Sequence, residues 1–457
     1  SINFLMIKKT FFLIFLGFFL STVTNFFYIE NFDRYEISTD NAERHSLIKG
    51  VNENHWRHAK IIKDQLNDGN NYFDTGIIYN RNYLPSKILL LYSYLSGDNM
   101  VEEDTKRITT DKKKLSFLIF QSLLYFSILF FFSKELTKRF THRAVFFVVA
   151  FLAIEPTLNQ WHSSFWSESI FLSLQLLLLT ILIKKQFSTF EFFLSGIILG
   201  LMFLQRSATI YYFFPLIIFL FFVTETQKVK KITIFVISYL FLILFVGYHQ
   251  FKRADVFYVA PTDQKFAVKL YLLPHVMSKV EGITVIEAKN KIDQNLENWK
   301  KDNQIDMTNE KSLLKFYDHI QRYSYKYIFF HPFETTKFIL KKSLHTAVLD
   351  PVHVMYFHKF EYKGKNRYLK SPEHQFWIPI RIVYSLIIYF VILIGFFVLL
   401  KKDKKIFLMT FISALYFFFI LSWLGNPRYL TPCLIYLSLF FGFGLDRLVE
   451  FLSYKKA

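Results

Sequence analysis

The feature that most constrains this chain is a series of apolar blocks, each about twenty residues long and almost free of charge. One helix of about twenty residues crosses the roughly 30 Å hydrocarbon core of a bilayer, whereas a soluble core needs only amphipathic spacing. The sequence therefore predicts an all-α polytopic membrane protein and excludes an ordinary cytosolic enzyme. Taking each block as one helix gives about ten transmembrane helices, at 10–28, 115–133, 144–161, 166–183, 190–205, 209–224, 232–249, 376–400, 406–424 and 429–445.

Clusters of Lys and Arg orient the predicted helices. The chain has 55 basic and 36 acidic residues, which gives a formal net charge of +19, and many of the basic residues lie beside the apolar blocks. When the blocks are counted alternately these clusters fall on one side, which in membrane proteins is the cytoplasmic side. This placement accounts for the charge without a nucleic-acid partner. The clusters are Lys8–Lys9, Lys134–Arg143, Lys184–Lys185, Lys228–Lys231, Lys401–Lys405 and Lys455–Lys456.

Two long hydrophilic stretches, 29–114 and 250–375, are consequently predicted on the outer side. The chain then divides into an N-terminal transmembrane module at 1–249, which includes the first outer loop, a large extracytoplasmic loop at 250–375, and C-terminal transmembrane helices at 376–457. The predicted architecture is thus about ten membrane helices with two large, mainly helical outer loops.

Hydrophobic periodicity predicts helices within both outer loops. In the first loop, 53–66 has helical spacing, and the apolar run 88–95 is too short to span, so we expect it on the membrane surface or packed on the bundle. In the second loop, amphipathic stretches at 310–330 and 333–349 each stop at a residue that precedes proline.

Ionisable residues at the outer ends of the predicted helices are the candidates for chemistry. Charged groups at membrane depth are costly, so those that are present mark functional sites by default. Arginine suits bidentate binding of phosphate, and a carboxylate suits general-base work on a hydroxyl. The candidates are Asp40 and Glu53 in the first outer loop, Glu155, His162 and Glu168 around the turn between the third and fourth segments, Arg206 after the fifth, and Arg428 before the last.

Simpler interpretations of these residues are open. Arg206 and Arg428 could extend to lipid headgroups. Glu168 could act only as an acid in the first turn of its helix, and Glu155, beside a proline, could be solvated. The histidines have no spacing typical of metal ligands, so no metal or other cofactor is predicted. The sequence has no Gly-rich phosphate loop and no serine nucleophile elbow.

Five short motifs occur in order along the chain. They are E-N-H-W-R-H-A at 53–59, Y-L-P at 83–85 with L-Y-S-Y-L-S-G at 91–97, S-E-S-I-F at 167–171, G-I-I-L-G-L at 196–201 leading to Arg206, and R-Y-L-T-P at 428–432. In this order the motifs resemble those of the GT-C superfamily of integral-membrane glycosyltransferases. Members of that superfamily use lipid-linked sugars and include the protein O-mannosyltransferases and the aminoarabinose transferases.

The resemblance implies a reaction at the outer face of the membrane. The donor would be a sugar on a polyprenyl phosphate, and the acceptor a hydroxyl of a glycan, a lipid or a protein. Many members carry an acid shortly after the first helix, and Asp40 and Glu53 both match that place, so either could be the catalytic base. Single-step attack on the anomeric carbon would invert its configuration.

The resemblance also implies roles for the remaining candidates and a location for the chain. The loop at 250–375 would cover the site, and membrane lipids would surround the helices. The expected location is a bacterial inner membrane, with the site facing the periplasm. The implied substrate contacts are Arg206 and Arg428 on the donor phosphate, and Glu155, His162 and Glu168 on sugar or acceptor hydroxyls.

Two other functions fit a chain with about ten membrane helices. A transporter or a flippase for lipid-linked sugars commonly places its charges near the bilayer midplane and often has two similar halves, whereas here the charges sit at outer helix ends and the halves do not match. An O-antigen polymerase or ligase usually has one dominant outer loop late in the chain. Two large outer loops therefore favour the glycosyltransferase.

Overall fold

The regular structure of the chain is helical throughout its described parts. A computed structural model describes residues 2–32, 59, 61–70, 72, 83–96, 112–163, 167–259, 267–307, 309–349, 372–421, 424 and 429–454, and within these ranges no strand occurs. The predicted all-α class is confirmed. The helices are α1 (Ile2–Phe32), α2 (Tyr83–Leu95), α3 (Lys112–Thr137), α4 (His142–Ile154), α5 (Glu168–Leu182), α6 (Thr189–Gln205), α7 (Phe213–Val223), α8 (Lys228–Ala254), α9 (Leu273–Glu281), α10 (Val285–Asp302), α11 (Glu310–Phe330), α12 (Pro332–Leu349), α13 (Pro372–Lys402), α14 (Lys404–Leu421) and α15 (Thr431–Tyr454).

Several helices have the length and composition of membrane spans, so the chain is a multi-pass membrane protein. Among the described residues, five helices are long and apolar enough to cross a bilayer, and four further apolar helices are shorter. The five spans are Ile7–Asn25, Leu115–Thr137, Lys228–Lys252, Ile382–Lys402 and Thr431–Tyr454. The total of about ten crossings stays a prediction.

The predicted span at 144–161 is interrupted in the structure. Helix α4 ends at Ile154, Glu155 is extended with ψ 122°, and a separate helical turn begins at Pro156. Proline has no backbone N–H and disfavours helical geometry at the residue before it, so the helix cannot continue through this pair. The interruption carries Glu155 away from the helix axis and is the first element of the candidate site.

Glycines allow the closest helix crossings. A Cβ atom on Gly395 of α13 would meet the carbonyl oxygen of Phe440, and one on Gly444 of α15 would meet that of Val391. Because glycine has no side chain, the two backbones come into direct contact at these positions. Membrane helices associate through such close van der Waals packing, since no hydrophobic driving force acts between helices in lipid. In the same way Gly196 brings α6 against α8.

Three of the predicted cytoplasmic clusters, Lys134–Arg143, Lys184–Lys185 and Lys401–Lys405, meet at one end of the bundle. Arg139 binds Asp403 with an Nη2–Oδ2 distance of 2.5 Å and donates to the carbonyl of Ile183 at 2.7 Å. Nearby, Lys184 forms an ion pair with Glu191 of α6, and Arg143 of α4 forms one with Asp446 of α15. We call this the basic end and the opposite one the outer end, following the predicted orientation.

The helices predicted in the two outer loops are present within the described residues; of the predicted helix at 53–66, residues 61–66 are helical and 53–58 lie outside the described residues. Helix α2 packs on the bundle, since Leu89 and Leu90 share a core with Phe117 of α3 and Ile170 of α5. In the second loop, α9, α10 and α11 enclose a small core of their own. Helices α11 and α12 match the predicted stretches, and each of them ends or begins beside Pro332 as expected.

Candidate functional site

A buried ion pair lies at the outer end of two neighbouring helices. Helix α5 begins with Glu168, and α6 ends at Gln205 so that Arg206 follows in extended geometry. The Arg206 Nη1 and Glu168 Oε1 atoms are 3.1 Å apart, and the two side chains are 7% and 1% exposed. Arg206 therefore does not simply extend to lipid headgroups, and Glu168 does more than cap its helix.

Aromatic rings surround the guanidinium of this pair. The Arg206 Cζ atom lies 5.5 Å from the ring centroid of Phe171 and 5.8 Å from that of Tyr429. A cation that is held over ring faces in a buried place is stabilised by cation–π attraction in addition to its ion pair. This contact places Tyr429, the first residue of the described segment 429–454, beside the ion pair.

His162 lies next to the ion pair through its neighbour Ser169. The His162 Nδ1 atom is 2.8 Å from the Ser169 hydroxyl, and Ser169 directly follows Glu168. The imidazole is fully buried and packs against the ring of Tyr125 in a tilted arrangement, at a centroid distance of 4.3 Å. Within the described residues its Nε2 atom has no hydrogen-bond partner. The structure thus brings three predicted residues, His162, Glu168 and Arg206, into one cluster.

Glu155 forms a second buried acidic position in the same outer region. Its carboxylate accepts hydrogen bonds from the Thr157 hydroxyl at 2.9 Å and from the backbone N–H of Leu158 at 2.8 Å. The Tyr384 hydroxyl of α13 donates a further bond. The solvated interpretation of Glu155 is excluded, because the residue is buried and its carboxylate is fixed by three donors.

Hydrogen bonds tie the start of α15 to the cluster. Trp161 Nε1 donates to the Thr431 hydroxyl at 2.9 Å, and Gln175 Nε2 donates to the Pro432 carbonyl at 2.7 Å. Gln205 Nε2 donates to the Ser167 carbonyl at 3.0 Å, which joins the ends of α5 and α6. The sequence analysis missed these three donors. The sequence feature that could have indicated these donors is a polar side chain inside an apolar helix, such as Gln175.

A buried lysine of the first outer loop was also missed. Lys87 of α2 is 3% exposed, and its ammonium donates to the Tyr72 carbonyl. The ammonium lies 4.5 Å from the ring centroid of Tyr72 and 4.7 Å from that of Tyr83. Because α2 packs on Ile170, two residues beyond Glu168, this cation belongs to the layer that covers the outer end of α5.

The second outer loop reaches the same region from another direction. Residues Val268–Leu272 form a π-helical turn, a rare geometry that is frequent at functional sites. Burial and the neighbouring Tyr429 raise the pKa of Tyr271 in this turn. Burial likewise raises the pKa of Tyr325, with Tyr211 close by. Tyr271 therefore lies near Tyr429, and Tyr325 lies near Tyr211 in the turn that follows Arg206.

Three predicted site residues lie outside the described residues: Asp40, Glu53 and Arg428. Their placement, and hence the choice of catalytic base, stays a prediction. Among the residues that the structure does describe, no group of three or more His, Cys, Asp or Glu side chains is placed to hold a metal ion.

Comparisons with known proteins support the membrane glycosyltransferase resemblance. A family model described as dolichyl-phosphate-mannose-protein mannosyltransferase matches residues 107–249. This segment runs from α3 into α8 and contains Glu155, His162, Glu168 and Arg206, so four of the predicted site residues lie in the part of the chain that resembles that family. The predicted resemblance to GT-C membrane glycosyltransferases is confirmed.

A solved structure also matches the chain. It is the archaeal oligosaccharyltransferase AglB from Archaeoglobus fulgidus in complex with an inhibitory peptide and a dolichol-phosphate, with 10% sequence identity and a TM-score of 0.47. The similarity covers 97% of this chain and 51% of the archaeal one, so the chain spans about half the length of that protein. No curated protein sequence matches the chain.

Proposed function

We propose that the chain is a glycosyltransferase that moves a sugar from a polyprenyl-phosphate donor to an acceptor hydroxyl at the outer face of the membrane. The observation that carries this proposal is the buried Glu168–Arg206 pair, which lies at the outer ends of α5 and α6 inside the segment that matches the mannosyltransferase family. A guanidinium held at a helix end at membrane depth is well suited to a lipid phosphate.

The proposed transfer is a single displacement. The acceptor oxygen attacks the anomeric carbon, the bond from that carbon to the phosphate oxygen breaks, and the phosphate leaves with the electron pair. The acceptor proton passes to a carboxylate of the first outer loop, either Asp40 or Glu53. Because attack and departure occur on opposite faces, the anomeric configuration is inverted.

The arginines offset the charge that develops on the departing phosphate. Arg206 is held in place before the reaction by Glu168 and by the flanking rings, so little reorganisation is needed when the negative charge grows. Arg428 precedes Tyr429, whose ring contacts the Arg206 guanidinium, and we assign it the same task. Glu168 then acts on the phosphate through Arg206.

The acceptor and the sugar are bound around this pair. We assign hydroxyl recognition to His162 and Glu155, because both are buried polar groups at the outer end of the bundle. The π-helical turn with Tyr271 covers the site and helps to select the acceptor, which is a glycan, a lipid or a protein. We further propose a bacterial inner membrane as the location, with the site facing the periplasm.

Amide variants of the two first-loop acids test the proposal. Asp40→Asn and Glu53→Gln keep size and most hydrogen bonding but remove the charge, and loss of a general base commonly lowers the rate about 10²–10⁴-fold. One variant should lose transfer to that extent and still bind donor lipid, while the other stays near the wild-type rate. Asp64→Asn is the matched control, since Asp64 is an exposed acid of the same loop.

The substrates for this assay are first identified in cells. Mass spectrometry of envelope glycans and lipids, with and without the gene, identifies the sugar and the acceptor that depend on it. If both first-loop variants transfer sugar at the wild-type rate, Glu155 or Glu168 becomes the candidate base. If variants of these acids are equally active, the glycosyltransferase proposal is wrong and a lipid-linked-sugar flippase takes its place.

A further inference from the structure

Helix α12 of the second outer loop has an apolar face that the rest of the described chain leaves uncovered. Leu340 is 40% exposed and Leu344 is 57% exposed, and Phe333 lies seven positions before Leu340. Residues spaced by four and seven positions share one side of a helix. The other side of the helix packs within the chain, where Phe338 and Ile339 lie against the buried Val268, Leu272 and Val276.

The end of this helix lies at membrane depth. The Tyr389 hydroxyl of α13 donates to the Ala347 carbonyl at 3.0 Å. The membrane span of α13 begins at Ile382, so Tyr389 is 389 − 382 = 7 residues inside it, about 10 Å along the helix axis. The exposed leucines, one and two turns before Ala347, therefore lie where the hydrocarbon core meets the headgroups.

The same face carries positive charge. Lys337 and Lys341 are exposed and lie one turn apart between Phe333 and Leu344. The stretch 326–349 contains four lysines and one glutamate. Lysines beside leucines at this boundary extend their ammonium groups into the headgroup layer while the leucines remain in the apolar region.

We propose that this face of α12 binds acidic phospholipids of the outer leaflet. Leu340 and Leu344 enter the acyl region, and Lys337 and Lys341 bind the headgroup phosphates. Two observations select this occupant: the lysines match acidic headgroups in charge, and α12 packs on the membrane span of α13, where Leu386 and Ile387 are exposed. The contact anchors the second outer loop to the bilayer independently of the proposed sugar transfer.

Lipid-selective quenching tests the proposal. A fluorophore is attached to Leu344→Cys in the full chain, where the native Cys433 is buried. The protein is reconstituted in phosphatidylcholine that contains an equal, low fraction of either bromine-labelled phosphatidylglycerol or bromine-labelled phosphatidylcholine. We expect stronger quenching by the acidic lipid. Because one lysine near an anionic surface contributes ~1 kcal/mol, each of Lys337→Gln and Lys341→Gln should reduce this preference about fivefold.

Controls separate the lysine effect from a general loss of charge. Lys301→Gln removes an exposed lysine at the end of α10 and should keep the preference. Native mass spectrometry of the unlabelled protein should show phosphatidylglycerol retained by the wild type and lost from the Lys337 and Lys341 variants. Equal quenching by the two lipids would overturn the proposal. Absence of quenching by either would also overturn it, and would assign the face to a second copy of the chain or another protein.

Discussion

Replacing Glu168 by Gln should destabilise the protein strongly, because it leaves the Arg206 guanidinium buried without its counter-charge. At the observed separation of 3.1 Å, the attraction is about 5 kcal/mol for an effective dielectric constant of about 20. Removal of one partner from a buried pair typically costs ~3–5 kcal/mol in the free energy of unfolding. Arg206→Gln should cost a similar amount. The double variant buries no unpaired charge and should recover much of the loss.

Thermal unfolding of the four proteins in one detergent measures this cycle. The wild type, both single variants and the double variant are compared, together with Lys138→Gln as a control. Lys138 forms an exposed ion pair with Glu135, so its replacement should leave the transition unchanged. Single variants that unfold at the wild-type temperature would refute the buried pair. A double variant with the summed loss of the two singles would show that the residues are not coupled.

Two further predictions concern packing and orientation. Gly395→Ala should lower the unfolding temperature, since the added Cβ would meet the Phe440 carbonyl oxygen. Overpacking of this kind costs about 1–3 kcal/mol in the free energy of unfolding. An unchanged temperature would refute the close crossing of α13 and α15. In intact cells, a cysteine introduced at Asn303 should react with an impermeant thiol reagent and one at Lys138 should not, because the two lie on opposite sides of the predicted membrane; labelling at Lys138 would contradict the orientation.

The sequence was sufficient to predict the fold class and the individual site candidates. Apolar blocks of membrane length have few alternatives to helices, since a bilayer leaves no partner for open backbone groups. Glu168 and Arg206 were identifiable one by one, because charge at the end of an apolar helix is costly. Their pairing was not predictable, since 38 residues separate them and the contact depends on how α5 packs on α6.

Other features depend on tertiary packing that local patterns do not encode. Lys87 lies in a loop where a lysine is normally solvated, and its burial arises from the rings of Tyr72 and Tyr83. The solvated interpretation of Glu155 was wrong for a similar reason, because one of its donors comes from Tyr384, more than two hundred positions away. The break at Pro156 was visible in the sequence, but hydropathy averaged over a window does not detect it.

The short helices of the bundle have a consequence for how substrates arrive. Helices α4 and α5 contain 13 and 15 residues, so they are about 20 and 23 Å long, less than the roughly 30 Å of hydrocarbon. Their basic ends are joined to neighbouring turns by Arg143 and by the Arg139 contact with Ile183. With these ends at the inner boundary, Glu168 and Arg206 lie below the outer one. In the proposed transfer, a lipid-borne phosphate would therefore reach the pair sideways from the leaflet, whereas a water-soluble acceptor would descend from above.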